Sequence, residues 1–123
     1  MKEKLTIVFI DQKCLTESFS KYTNKNVTWL EVIGEYENKS ENLKYIYNNI
    51  PNIIICNSIF PIFTDFINSK EISKIKEKSK IFVLSGNNDL SIKKASFDFG
   101  IKDYFYKPIS FSKVISNIKE SLN

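Results

Sequence analysis

Short apolar runs alternate along the chain with stretches whose apolar residues recur every three or four positions. This β-α-β-α rhythm predicts a doubly wound parallel sheet with helices on both faces. The run from Pro51 to Pro61 is the centre of the pattern, with Ile53-Ile54-Ile55-Cys56 bounded by a proline on either side. It is too short to span a membrane and rich in β-branched residues, so it reads as a strand buried on both faces. Strands are predicted over residues 5–10, 27–34 (ending at Gly34), 52–57, 81–85 and 103–106.

Five helices fit between and after these strands. The first, over 15–22, sets Leu15, Phe19 and Tyr22 on one face. The second starts with Asn38 as its cap and Glu41 three residues later, carries Leu43, Ile46, Tyr47 and Ile50 at helical spacing, and is stopped by Pro51. The third, over 63–77, shows Phe63, Phe66, Ile67, Ile72 and Ile75 with a break near Ser69, and the fourth, over 89–99, ends at Gly100. In the fifth, Ser110 caps a stripe of Phe111, Val114, Ile115, Ile118 and Leu122. Residues 1–123 make one domain, long enough to bury about two-thirds of the surface of its unfolded chain.

Composition removes several kinds of chemistry. All 18 basic residues are lysine and there is no histidine, which excludes Ser-His and Cys-His nucleophile pairs, histidine metal sites and phosphohistidine. Without arginine, bidentate recognition of phosphate or guanine by a guanidinium is missing too. The net charge of +4 is spread along the chain, and its one dense run, Lys70 to Lys80, is interrupted by Glu71 and Glu77. That run reads as a solvated helix face, and nucleic-acid binding is not expected. Cys14 and Cys56 lack any paired spacing, so reduced thiols in a cytoplasmic protein are expected. The amino terminus runs into the first strand without a signal-peptide core, no stretch approaches the length of a membrane helix, and no membrane partner is expected.

A parallel sheet gathers the residues that follow its strands, and ligands of open α/β sheets bind there. Asp11 and Gln12 follow the first strand, Asn57 the third, Ser85 the fourth, and Lys107 with Pro108 the fifth. In this setting the chain resembles the receiver domain of bacterial two-component response regulators. The likeness rests on Val32-Ile33-Gly34-Glu35, on Pro51 to Pro61, on Leu84-Ser85-Gly86, and on the turn from Ala95 to Gly100 that leads into Asp103-Tyr104-Phe105-Tyr106-Lys107-Pro108. It implies a flavodoxin-like, five-stranded parallel sheet of order 2-1-3-4-5 with five helices.

The resemblance also implies a chemistry, phosphoryl transfer from a partner's phosphohistidine to an aspartate that matches Asn57 here. An amide offers a neutral oxygen of low nucleophilicity, so acyl phosphate formation at Asn57 is not expected. The family's magnesium site matches Asp11 with Gln12, Asn57 and the backbone carbonyl of Ile59. Only Asp11 of the carboxylates remains, so magnesium binding is expected to be weak or absent, and no other cofactor is implied. Ser85 and Lys107 match the hydroxyl and the cation that follow the phosphoryl group, and Tyr104 matches the aromatic whose rotamer reports the state. Lys107 is expected to pair with Asp11.

The preferred reading is a receiver-like signalling module, a pseudo-receiver and not an enzyme, that acts by protein contact without phosphorylation. Its partner would dock on the face of helix 4, strand 5 and helix 5, where Phe97, Phe105 and Tyr106 would also serve a homodimer. One alternative keeps the domain in phosphorelay with residual magnesium binding and Ser58 or Ser85 as acceptor; another makes the chain a fragment of a larger DNA-binding regulator. Met1 directly before the first strand reads as a natural start, and an end soon after the fifth helix suits a stand-alone protein or a trimmed one.

Overall fold

Strand β1 (Leu5–Ile10) takes a central place because its side chains find apolar partners on both faces. The structure is a computed structural model and describes residues 4–122, so the Met1 start lies outside the described residues. The chain continues through α1 (Lys13–Asn26), β2 (Leu30–Tyr36), a single 3-10 turn (Ser40–Asn42), α2 (Leu43–Asn48), β3 (Ile53–Cys56), α3 (Lys70–Lys78), β4 (Lys80–Ser85), α4 (Leu90–Phe99), β5 (Asp103–Tyr106) and α5 (Phe111–Ser121). All pairings are parallel and the order is β2-β1-β3-β4-β5, as the resemblance implies.

Every residue of β3 is buried. Ile54 and Cys56 join Val8, Ile46, Ile62, Phe63, Ile72, Ile75 and Phe99 on one side of the sheet. Ile53 and Ile55 join Phe9, Phe82, Val114 and Ile118 on the other. A side-chain period of two serves two cores, which is why the strand reads as an unbroken apolar run. On the second side, α1 meets α5 through aromatic rings, with Phe19 stacked on Phe111 at 4.7 Å and Tyr22 edge-on to Phe111 at 5.1 Å.

Several boundaries differ from the sequence reading. Helix α1 runs on to Asn26, past the expected 15–22, and the Val27 N–H caps it by donating to the Thr23 carbonyl at 2.9 Å. Val27 is thereby withdrawn from the second strand, which begins at Leu30 instead. That strand also does not stop at Gly34. A register shift opposite Ile7 and Val8 leaves Ile33 as an extra residue, and the ladder resumes from Gly34 to Tyr36. A Cβ at Gly34 would stand 2.6 Å from the Tyr36 ring, so a larger residue there would have to displace that side chain.

Asn38 does not cap the second helix. Its side chain is turned into the neighbouring loop, and α2 starts five residues later after the 3-10 turn. Residues 60–69 form turns, and the third helix begins at Lys70 with Ser69 as its cap, so the break foreseen near Ser69 is its start. Asp89 caps α4 and accepts from the Ser91 N–H at 2.8 Å; its hydrogen bonds to the Ser91 hydroxyl and N–H hold its carboxyl below the usual range. Gly100 closes α4 at φ 119°, a left-handed conformation suited to glycine.

One buried group on α1 lacks a partner: among the described residues, the Ser20 hydroxyl is buried with no hydrogen bond. Desolvating a hydroxyl without replacing its water bonds is unfavourable. Ser20→Ala is therefore expected to stabilise the fold by about 1 kcal/mol, read as a higher urea midpoint at unchanged slope.

Candidate functional site

Four of the five strands deliver a predicted site residue to the carboxyl edge of the sheet. Asp11 follows β1 and is buried, its carboxylate accepting the Gln12 N–H at 2.7 Å and lying 3.4 Å from Lys107 Nζ. Gln12 is exposed at the start of α1. Asn57, half-buried, stays in the ladder through its N–H, which donates to the Ile10 carbonyl at 3.0 Å. Asp11, Gln12 and Asn57 line one cleft of about 210 Å³.

Ser85 and Tyr104 are engaged elsewhere. The Ser85 hydroxyl oxygen accepts the Asn87 N–H at 3.0 Å, and the Ser85 carbonyl accepts the Lys107 N–H at 2.9 Å. Tyr104 is buried, and its O–H donates to the Asn87 carbonyl at 2.8 Å. Asn87 thus joins the strand-four hydroxyl to the tyrosine through one residue of loop. Phe105, expected among exposed aromatics, is instead buried against Phe82, because successive residues of β5 point to opposite faces and Tyr104 and Phe105 each enter one of the two cores. Phe97, Tyr106 and Leu90 (75% exposed) remain on the outer side.

The rest of the cleft is lined by Glu37, Asn38 and Lys39, which the sequence reading did not assign to the site. The Asn38 amide donates to Asn57 Oδ1 at 2.8 Å and to the Ser58 carbonyl at 2.9 Å, and its oxygen accepts the Ile62 N–H at 3.1 Å. Ending the second strand at Gly34, two residues early, had hidden Asn38 as a helix cap. The polarity of residues 37–39, right after a strand end, was the available signal.

The donor set does not suit magnesium. Asp11 is already bound to Lys107 and to the Gln12 N–H, the exposed Glu37 carboxylate pairs with Lys39 at 3.2 Å, and the Ile59 carbonyl accepts the Phe63 N–H at 3.0 Å. A hard, reluctantly dehydrated cation needs several free oxygen ligands with charge. Nor does the pocket hold a competent thiol, since burial first and the Asp11 charge second push the Cys56 thiol far up.

The ion pair is asymmetric, with 33% of the Lys107 side chain exposed against 6% for Asp11. Removing the lysine strands a buried carboxylate, whereas removing the carboxylate leaves a cation that can reach water. Lys107→Met is therefore expected to cost about 1–3 kcal/mol and Asp11→Asn less than about 1 kcal/mol in denaturant titrations at neutral pH.

With this geometry the known proteins fall into line. The chemotaxis protein CheY of Bacillus subtilis (strain 168) is 25% identical over 93 residues, covering 76% of this chain and 78% of that protein. A LuxR-family DNA-binding response regulator from Staphylococcus aureus superposes with a TM-score of 0.79 at 15% identity, over 97% of this chain and 99% of that one. This chain has the fold of a response-regulator receiver domain. Two further solved structures share this fold. The signal receiver domain of NarL from Mycobacterium tuberculosis gives a TM-score of 0.76 at 13% identity, over 97% and 96% of the two chains. The isolated REC domain of RcsB from Salmonella enterica serovar Typhimurium gives 0.72 at 18%, over 96% and 90%. No family model matches the sequence. The cleft after β1 and β3 is lined by three amides, Gln12, Asn38 and Asn57, and by two acids, Asp11 and Glu37, each paired with a lysine.

Proposed function

We propose that this receiver is a signalling module of a two-component pathway that works by protein contact and does not depend on phosphorylation. The observation that carries the reading is Asn57, an amide at the end of β3 whose oxygen is already held by Asn38. An amide oxygen is a poor nucleophile towards phosphorus, and its neighbour Asp11 is tied to Lys107. The module is not an enzyme, uses no cofactor and acts in the cytoplasm. Its partner docks on the α4-β5-α5 face, where Leu90, Phe97 and Tyr106 are exposed and Lys93 lies 4.9 Å from the Tyr106 ring centre. The same face serves self-association.

The test is intact mass after incubation with acetyl phosphate and magnesium. The native chain is expected to keep its mass, and a partner recovered by affinity capture is expected to bind equally with and without the phosphodonor. Phosphoryl uptake by the native chain, or binding that requires the donor, overturns the proposal.

A further inference from the structure

Asn38 lies outside every element of the sheet yet joins three segments. It sits in the loop after β2, contacts Asn57 and Ser58 at the end of β3, and reaches Ile62 in the turns that follow. Two of the partners are backbone groups of opposite kind, the Ser58 carbonyl and the Ile62 N–H. They fix the orientation of the amide, because turning it over would set NH2 against N–H and oxygen against oxygen. The side chain of Asn57 must then present its oxygen to Asn38. All three distances, 2.8, 2.9 and 3.1 Å, lie in the range of sound hydrogen bonds.

We infer that Asn38 is a positioning residue: it holds the side chain of Asn57 and the turn segment 58–62 in one arrangement by neutral hydrogen bonds, without any cation. The inference rests on and deepens the preceding reading, since it explains how a pocket with an amide at the end of β3 stays ordered. Ile62 is fully buried, and Phe60, Phe66 and Ile67, on the same run of turns, are exposed. Holding Ile62 by its N–H therefore sets the base of an exposed apolar segment that has no helical ladder of its own.

Amide hydrogen exchange followed by NMR tests this in the full chain. In the native protein the Ile62 N–H should be protected equally with and without magnesium chloride. In Asn38→Ala it should exchange about tenfold faster, while Ile54 and Ile55 of β3 keep their native rates and so report an intact fold. Asn38→Asp keeps an acceptor for Ile62 but loses both donors, so Ile62 should stay protected while the Asn57 side-chain amide resonances move. This second variant carries the test if the first does not fold. Native Ile62 exchange in Asn38→Ala, an unmoved Asn57 amide in Asn38→Asp, or magnesium-dependent protection in the native chain each overturns the inference. Phosphoryl uptake by the native chain would sink the reading of Asn57 without altering these exchange rates, so the two failures are separable.

Discussion

The double variant Gln12→Asp/Asn57→Asp is expected to take up one phosphoryl group from acetyl phosphate in the presence of magnesium, whereas the native chain takes up none. Asn57→Asp supplies the anionic oxygen that attacks phosphorus, with acetate leaving and an aspartyl phosphate remaining. The Asn38 amide, 2.8 Å from the present Asn57 oxygen, can donate to a carboxylate oxygen just as it does to the amide. The nucleophile alone is not sufficient. Magnesium must neutralise the incoming phosphoryl oxygens, and it needs carboxylates beyond Asp11, which Lys107 holds at 3.4 Å. Gln12→Asp adds one at the rim of the same cleft of about 210 Å³.

Two controls bound the result. The single Asn57→Asp variant is expected to react far more slowly than the double one. The double variant should be less stable than the native chain without magnesium, from the repulsion of crowded carboxylates, and should regain stability as magnesium is added. Intact mass reads the first outcome and thermal melting with and without magnesium the second. A double variant that gains no mass while its melting responds to magnesium would mean that the frame binds the ion but lacks the phosphoryl-transfer geometry, and the assignment of position 57 as the acceptor position would be wrong.

Phe63→Ala is expected to cost about 3–5 kcal/mol, a large share of the roughly 5–15 kcal/mol typical of a domain. Phe63 is fully buried, its ring stacks on Phe99 at 5.8 Å, and its cluster includes Ile54, Ile59, Ile62, Ile72 and Ile75. Elsewhere on this side of the sheet a helix would share the load, but residues 60–69 are turns. Ile62 and Phe63 anchor that run by side-chain burial, so truncating one leaves a cavity that the neighbouring helix α3 cannot readily close. Phe66, on the same run but 57% exposed, is the matched control, and Phe66→Ala should change stability by less than about 0.5 kcal/mol. Chemical denaturation of both variants decides it, and similar small losses would show that the turn segment is not held by Phe63.

Much of the frame was legible because its signals are local. The buried run Ile53–Cys56, the cap Ser110 and the left-handed Gly100 each follow from residues adjacent in sequence. Strand β5 matches its expected limits for the same reason. The second strand was misplaced because its start depends on where α1 ends and its end on an extra residue against β1, and neither is encoded within 27–34. Phe105 and Tyr106 show the same limit at smaller scale, since both are aromatic and only the pleat of β5 against Phe82 sends the first inward.

By itself, the sequence determined the α/β order of the elements, the gathering of Asp11, Gln12, Asn57, Ser85 and Lys107 at the strand ends, and an amide in place of a charged group at position 57. These depend on residue type and on periods of two and 3.6 that one chain displays openly. The tertiary structure alone decided which of those side chains are free. The Asp11–Lys107 pair, expected from the sequence, forms across 96 residues, but the structure alone turned the Ser85 hydroxyl to Asn87 and spent the Asn38 amide on Asn57, Ser58 and Ile62. Hydrogen bonds between loops depend on distances set by the packing of whole strands and helices, and no pattern of polarity along a chain records them.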